Sequence, residues 1–239
     1  MNTALPRLDP APDLVEQVYR RLLDAISDGS MPPGMRLTQE EVAEQLAVSR
    51  QPVLQALRQL KSDGLVQDAP GQHGHKGRGV LVAPLDGALI AHMYQVRGAL
   101  DALAAQLAAQ RKATIDPALI SQGRASAAGT DVAAMMNADL AFHRAIYQAS
   151  GNPLIEASSL LHWAHIRRAM GESLRHGSLR AAVWDEHAAM AHAIAEGDEA
   201  RVSLLVTQHC QQASANLLRL LAHSAPPAMA GTPINSVVP

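Results

Sequence analysis

The stretch from Thr38 to Leu60 constrains the fold of this chain more than any other stretch. It reads as two short helices with a tight connection at Leu46–Val48. Ser49 stands at the N-cap of the second helix, where its hydroxyl is expected to accept a hydrogen bond from a first-turn amide. Pro52 falls in that first turn, where amides have no partner within the helix. The spacing therefore predicts two packed helices, the second of which begins near Ser49.

The second helix has two faces of different character. Apolar side chains recur at i, i+3, i+4 and i+7, which predicts a buried face made of Val53, Ala56, Leu57 and Leu60. The polar face carries amides and guanidinium groups, and no acidic residue occurs from Ser49 to Ser62. Glutamine can pair with adenine edges, and arginine with guanine edges or phosphates. The helix suits a DNA major groove, and an ordinary amphipathic surface helix is the alternative.

A glycine-rich segment, 70–79, follows between the apolar runs at 64–66 and 80–82. This pattern predicts a two-stranded ribbon with a long basic tip, which is the form of a wing. The net charge of −2 argues mildly against nucleic-acid binding, but seven of the nine acidic residues in 13–84 precede Ser49. We therefore expect local, salt-dependent contacts to double-stranded DNA. The expected contact residues are Ser49, Arg50, Gln51, Gln55, Arg58, Lys76 and Arg78.

Several of these motifs occur in the same order and at the same spacing as in a known protein family. The segments 31–37, 48–53, 56–57 and 64–66 resemble the winged helix-turn-helix of the GntR family of bacterial repressors, and the resemblance covers roughly residues 13–84. It implies a winged-helix fold and an operator DNA as partner. The chain departs from the family at Leu54-Gln55, where members usually carry Arg-Glu and the arginine is commonly a DNA contact. The wing tip is also longer than usual.

Length and composition indicate two domains in a mainly α protein. At 239 residues with scarce aromatic side chains, the cores must be aliphatic, which favours packed helices. The single Cys210 fits a reducing cytoplasm, and no apolar run approaches a membrane span of about 20 residues. We expect a disordered tail at 1–12, a DNA-binding domain at 13–84, an all-α antiparallel helical bundle for effector binding and dimerisation at 85–223, and a disordered tail at 224–239. The predicted bundle helices cover 86–111, 116–128, 131–150, 153–173, 178–196 and 198–222.

Four polar residues interrupt the apolar stripes of three bundle helices. Asp139 and His143 lie one turn apart in one stripe, while His187 and His209 are central in two others. A single inward histidine is usually a hydrogen-bonded core residue, and that alternative stands for each. Four such groups facing one interior favour a divalent metal, because the ion compensates a buried carboxylate and accepts neutral imidazoles. Three histidines and one aspartate suit zinc or nickel, with manganese or iron as alternatives.

The same region resembles the all-helical FCD effector domain of the FadR-like branch of the GntR family. The resemblance spans about 86–222, and its six helices are typical of the shorter, VanR-like version. It rests on Gln95-Val96-Arg97 with Leu100-Asp101, Asp139-x-x-x-His143, 150–154, Glu186-His187, 193–198 and His209. The resemblance implies that Asp139, His143, His187 and His209 ligate the metal, which helps to hold a small carboxylate effector.

Three further residues are candidates for the effector pocket. Arg97 falls on the edge of its stripe, and it either pairs with Asp101 on the helix surface or reaches inward to an anionic ligand. His162 and His165 are candidates for the pocket wall. The histidines at positions 92, 176, 192 and 223 are expected at the surface.

The sequence predicts a homodimeric, ligand-responsive transcriptional regulator, more readily a repressor than an activator, that reads a pseudo-palindromic operator. Two alternatives stay open, a metal-sensing regulator and a metal-dependent hydrolase fused to a DNA-binding module. The hydrolase is disfavoured because no separate acid or base is apparent beside the ligands. Ser-His-Asp catalysis has no support either, because no Gly-x-Ser-x-Gly elbow occurs. We therefore expect that the chain is not an enzyme.

Overall fold

The computed structural model describes residues 14–70, 76–175 and 180–224. The predicted tail 1–12 lies outside these residues, as does the predicted tail 224–239 apart from Ser224, which ends the last helix. The amino-terminal domain contains the elements α1 Leu14–Asp28, β1 Arg36–Leu37, α2 Gln39–Gln45, α3 Arg50–Ser62, β2 Val66–Pro70 and β3 Lys76–Val82. The carboxy-terminal domain contains α4 Gly87–Gln110, α5 Pro117–Ala127, α6 Val132–Ser150, α7 Pro153–Leu160, α8 Trp163–Arg175, α9 Arg180–Glu196 and α10 Glu199–Ser224.

The amino-terminal domain is a winged helix. The expected ribbon is present as β2 and β3, which pair antiparallel, and β1 adds a third strand on the other edge of β3 that the sequence pattern did not predict. Gly79 permits this third strand, because its φ is +81° and a Cβ there would clash with the Leu37 carbonyl oxygen. Of the predicted wing tip, residues 71–75 lie outside the described residues.

The helix α3 buries the face that its periodicity predicts. Val53, Ala56, Leu57 and Leu60 are all buried against α1 and the sheet, and Pro52 joins them. One local expectation was wrong, because Ser49 occupies the N-cap position but its side chain makes no capping hydrogen bond. The hydroxyl is exposed at the start of α3 and remains available to another partner.

The carboxy-terminal domain is an all-α bundle in which α4 packs along α10 and against α6. Asp86 caps α4, since its carboxylate accepts hydrogen bonds from the amides of Ala88 and Leu89. The predicted helix 153–173 is two helices, α7 and α8, separated at Leu161–His162. Neither Gly nor Pro marks this break. It follows Ser158 and Ser159, whose residue type favours turns over helix interiors.

The two domains have separate apolar cores but share a contact along α8. Gly171 of α8 packs so closely against the Ser27 carbonyl of α1 that no Cβ would fit. The Arg168 guanidinium donates to the Ala83 carbonyl, at the connection between the domains. Arg175 donates to the Ser27 carbonyl at 3.1 Å. The carboxy-terminal part of α8 therefore holds the winged helix against the bundle.

Candidate metal centre and nucleic-acid interface

Three histidines from three helices meet inside the bundle. His143 lies on α6, His187 on α9 and His209 on α10, and each side chain is buried. One ring nitrogen of each lies within 4.8 Å of one ring nitrogen of the other two. Because the apolar stripes of these helices face one core, their interrupting polar residues converge on one point.

Asp139 lies beside two of these imidazoles. Its Oδ1 is 3.6 Å from Nε2 of His187, and its Oδ2 is 3.7 Å from Nε2 of His143. Asp139 and His143 are one turn apart on α6, so the helix itself fixes their relative positions. The structure thus brings together all four residues that the sequence assigned to a metal.

Several polar atoms of this cluster are buried without a hydrogen-bond partner among the described residues. They are both ring nitrogens of His187 and Oδ2 of Asp139. The His187 pKa lies well below its usual range because of burial and the nearby charges of His143, His209 and Arg97. His187 is therefore a neutral imidazole in a desolvated site, and its unused lone pair is the form of donor that a metal takes.

Two carboxylates orient the other imidazoles. The Nδ1 of His209 lies 2.6 Å from Oε2 of Glu186, and the Nδ1 of His143 lies 3.3 Å from Oδ2 of Asp101. Donation from each Nδ1 leaves the Nε2 lone pair directed into the cluster, as partners of metal-bound histidines do. The sequence did not give these roles to Glu186 and Asp101. A usable signal for Asp101 is that it lies one turn after Arg97 as the only other charged residue of α4.

Arg97 is buried inside the bundle, so both alternatives for it hold in part. It pairs with Asp101 at 3.2 Å, as the surface-pair alternative required, but both side chains are nearly inaccessible. Its Nη2 also lies 2.9 Å from Nε2 of His143 and 3.7 Å from Oδ2 of Asp139. Burial opposes ionisation of Asp101, but Arg97 and His143 bring the pKa of that carboxyl below its usual range. Tyr147 adds a hydrogen bond of 2.5 Å to the same carboxylate.

A small cavity opens beside Arg97. It is lined by Arg97, Leu100, Tyr147, Ser159, His162, Trp163 and Ile166. Of the two histidines predicted for the pocket wall, His162 lines this cavity, whereas His165 is absent from the lining. The Nε2 of His165 instead contacts the Asp63 carbonyl of the winged helix, and burial lowers the pKa of this histidine. Ser159 has a buried hydroxyl with no partner among the described residues.

The predicted DNA-reading side chains project from one exposed surface of α3. Gln51, Gln55 and Arg58 are exposed, as is Arg50, whose guanidinium makes a 3.3 Å ion pair with Glu40. On the wing Arg78 is exposed, and the Lys76 side chain lies outside the described residues. The histidines 92, 192 and 223 are exposed as expected, and His176 is not among the described residues.

A winged helix with an exposed polar recognition surface, joined to a helical bundle with a buried histidine cluster, defines a bacterial transcriptional regulator with a sensory domain. Family models agree with this class. Residues 14–73 match the gntR family of bacterial regulatory proteins, and residues 92–212 match the FCD domain. The chain belongs to the GntR family and carries an FCD effector domain.

Similar proteins are regulators rather than enzymes. The chain is 27% identical over 212 residues to an HTH-type transcriptional regulator in an unstable DNA locus of Streptomyces ambofaciens, a match that covers 87% of this chain and 86% of the relative. It is 32% identical over 126 residues to an HTH-type regulator from an intergenic region of Agrobacterium vitis, covering 53% and 70% of the two chains.

Two solved structures share the fold. McbR/YncC of E. coli superposes with a TM-score of 0.71 at 24% identity, covering 87% of this chain and 98% of that one. A GntR-type regulator from Rhodococcus sp. RHA1 superposes with a TM-score of 0.67 at 23% identity, covering 86% and 97%.

None of the helices in the described residues is both long and apolar enough to cross a bilayer.

Proposed function

We propose that this chain is a homodimeric repressor whose operator affinity is controlled by a small organic acid bound beside a divalent metal ion. Asp139, His143, His187 and His209 would hold the ion. The winged helices of two subunits would read the two halves of a pseudo-palindromic operator. The single observation that carries the proposal is the group of buried metal-donor atoms on His187 and Asp139 that have no hydrogen-bond partner among the described residues.

This observation favours a metal because leaving these buried atoms without a partner would cost free energy. A buried polar group without a partner costs about 1–3 kcal/mol, and a buried carboxylate costs more. One ring nitrogen of His187 lies within 4.8 Å of a ring nitrogen of His143 and of His209. Its Nε2 lies 3.6 Å from Oδ1 of Asp139. The donor set of three imidazole nitrogens and one carboxylate suits zinc or nickel, and the bound ion supplies a Lewis-acidic centre for a ligand oxygen.

Arg97 connects this cluster to the cavity. Its guanidinium touches His143 and Asp139 on one side and lines the cavity on the other. A planar fork of donors suits a carboxylate, and Leu100, Trp163 and Ile166 supply apolar walls. We therefore expect a small acid with a short apolar body. Because His143 Nε2 accepts a hydrogen bond from Arg97, the guanidinium and a metal compete for the same lone pair.

The helix α8 provides a route from the cavity to the DNA-binding domain. Its amino-terminal end lines the cavity through Trp163 and Ile166. Its outward groups contact the winged helix, since His165 and Arg168 bond the carbonyls of Asp63 and Ala83. An effector that shifts α8 would therefore move the winged helix directly. Allosteric coupling is typically about 1–3 kcal/mol, which is sufficient for a switch.

The metal proposal is tested by elemental analysis of the purified protein and two variants. His187→Ala removes a buried ligand, whereas His192→Ala changes an exposed histidine on the same helix α9. We expect about one metal ion per chain in the wild type and in His192→Ala, and a loss of at least tenfold in affinity in His187→Ala. Stoichiometric metal in His187→Ala would refute the four-ligand site.

The effector is tested by titrating operator binding of the chelated protein, first with zinc or nickel and then with small carboxylic acids. We expect release only when both are present. Release by metal alone would favour the metal-sensing regulator instead. Arg97→Leu should bind metal at least as tightly as the wild type, because the competitor for His143 is gone, while losing the response to the acid.

A further inference from the structure

Arg78 lies on a stretch of β3 whose backbone has unusual freedom. It is flanked by Gly77 and Gly79, and glycine adopts more backbone conformations than any other residue. Arg78 is exposed and belongs to the predicted DNA-reading side chains. A cation on a free backbone must be ordered when it binds, and that ordering costs free energy. The affinity that Arg78 contributes therefore depends on what holds its backbone.

The strand ladder itself does not hold Arg78. The strand β1 pairs with residues 80 and 81 of β3, and β2 pairs with residues 76 and 80–82. The register of β2 shifts between Asp68 and Pro70, opposite the stretch that contains Arg78. Among the described residues, no ladder pair includes Arg78. Its backbone groups therefore need a contact from elsewhere.

The side chain of Arg36 supplies this contact. Its Nε and Nη2 donate to the Arg78 carbonyl oxygen at 2.9 and 2.5 Å. Arg36 lies in β1 opposite Leu81, and the next residue, Leu37, is buried in the core of the winged helix. The guanidinium therefore extends from a fixed backbone. Two donors of one planar group on the same oxygen restrain both its distance and its direction, and the charge strengthens both bonds.

The opposite edge of the ribbon is tied to α3. The Nζ of Lys61, near the end of α3, lies 2.5 Å from Oδ1 of Asp68 on β2, and Asp68 pairs with Val80 of β3. This ion pair restrains the base of the wing relative to α3. Arg36 restrains the next part of β3 toward the tip, so Arg78 has a set position relative to the polar face of α3.

We infer that Arg36 is a positioning residue for operator binding, and that it acts by holding Arg78 against a phosphate of the DNA backbone. The inference rests on the proposed function in one respect, that the winged helix binds an operator. A phosphate is the partner because Arg78 extends from the wing rather than from α3, and phosphate contacts set the orientation of a protein on DNA. Arg36 acts through Arg78 because two nitrogens of its guanidinium are bound to the carbonyl.

The test uses the full chain and a labelled duplex that the wild type selects from random-sequence DNA. Arg36→Ala and Arg78→Ala should each weaken binding to this duplex on the order of tenfold. Each should also reduce the slope of log Kd against log salt concentration by about one, since one phosphate contact is lost.

The double variant Arg36→Ala/Arg78→Ala distinguishes positioning from direct contact. Arg78→Ala keeps the backbone carbonyl to which Arg36 donates, but it removes the cation that this contact positions. The double variant should therefore bind no more weakly than Arg78→Ala alone. Additive losses would overturn the inference, because Arg36 would then contact DNA by itself. Unchanged affinity of either single variant would overturn it as well.

A second measurement follows the wing without DNA. Arg36→Ala should speed amide hydrogen exchange at residues 78–80 and leave the exchange of α3 unchanged. Because Arg36 is exposed, the midpoint of denaturant unfolding should stay that of the wild type. A lowered midpoint with an unchanged salt slope would indicate a merely structural role and overturn the inference. Unchanged exchange at 78–80 would do the same, since Arg36 would then not hold the strand.

The matched control is Arg20→Ala. The Arg20 side chain is 73% exposed and pairs with Glu16 on α1 of the same domain. The substitution removes the same charge from the winged helix, but it should leave both the affinity and the salt slope unchanged. Equal losses in Arg20→Ala and Arg36→Ala would show that net charge rather than position matters, and the inference would fail.

These outcomes are separate from failure of the proposed function. A wild type that selects no duplex would refute operator binding, and the inference with it. A selected duplex that Arg36→Ala binds as tightly as the wild type would refute the inference alone. The metal content of these variants should equal that of the wild type, because the winged helix and the histidine cluster lie in different domains.

Discussion

The two domains differ in the polarity of their buried residues. In the winged helix the buried residues are apolar apart from Ser27, whereas nine of the ten buried polar residues described belong to the bundle or its α8 contact. The winged helix keeps its polar groups outside, where they can meet a DNA groove. The bundle keeps them inside, where they can meet a small ligand. The difference indicates that recognition of DNA is a surface property of this chain and sensing is a property of its core.

The largest expected effect on stability tests the polar interior of the bundle. Asp101→Asn removes the closest charge partner of the buried Arg97. Breaking a buried ion pair costs about 3–5 kcal/mol. Asp139 remains 3.7 Å from Nη2 of Arg97 as a second partner, so we expect a loss at the lower end of that range in the free energy of unfolding measured with denaturant.

The matched control is Asp185→Asn, which breaks the exposed 2.7 Å pair with Arg124 on the surface of the same bundle. Such pairs contribute at most about 1 kcal/mol. Equal effects of the two substitutions would show that the interior of the bundle is as well solvated as its surface, and the contrast between the domains would fail.

The same contrast explains how much could be predicted from sequence. The winged helix has an uninterrupted 3.6-residue pattern in α3, which lies where that pattern predicts. The ribbon follows the apolar runs at 64–66 and 80–82, but its strands extend into the predicted tip at Pro70 and 76–79. In the bundle, Asp139, His143, His187 and His209 could be recognised because each interrupts an apolar stripe. A polar residue in a stripe shows that a group is buried, and helix packing then fixes which other groups it meets.

The missed features depend on contacts that periodicity does not encode. Glu186 orients His209 across 23 residues of sequence, and its side chain is 41% exposed, so hydrophobic periodicity does not mark it as part of the cluster. His165 faces the winged helix because the chain breaks at Leu161–His162, and the sequence predicted one continuous helix there. Ser49 has the residue type of an N-cap, but tertiary geometry leaves its hydroxyl unused.

A smaller loss of stability than that of Asp101→Asn is expected for a substitution at the contact between the two domains. Arg168→Ala removes a guanidinium that is 4% exposed and that donates to the Ala83 carbonyl; burial lowers the pKa of this group to about 10. A charge-assisted hydrogen bond contributes about 1.5–3 kcal/mol, so we expect a loss of that order in stability.

If α8 carries the signal, Arg168→Ala should also bind metal and operator normally while responding weakly to the acid. Arg144→Ala, which breaks an exposed pair of the bundle with Glu156, is the control. A full response in Arg168→Ala would place the coupling elsewhere.

Ser27 is the exception among the buried residues of the winged helix, and its substitution should stabilise the protein rather than destabilise it. The Ser27 hydroxyl is buried with no hydrogen-bond partner among the described residues. Because removing an unsatisfied hydroxyl removes a desolvation cost, Ser27→Ala should raise the free energy of unfolding by about 1 kcal/mol. The contact of Gly171 is with the Ser27 backbone, so it survives the substitution. A destabilised variant would show that the hydroxyl has a partner, and the winged helix would then have a polar interior of its own.

The smallest expected effect on stability belongs to the surface of the winged helix. Arg50→Ala removes an exposed side chain whose ion pair with Glu40 is itself exposed, so the free energy of unfolding should change by less than about 0.5 kcal/mol. Operator affinity should nevertheless fall by about 1–3 kcal/mol at physiological salt, measured by titration of labelled DNA. Arg124→Ala, an exposed and paired arginine of the bundle, should change neither quantity. Equal operator affinity of Arg50→Ala and the wild type would remove Arg50 from the DNA-reading surface and leave Gln51, Gln55 and Arg58 to account for it.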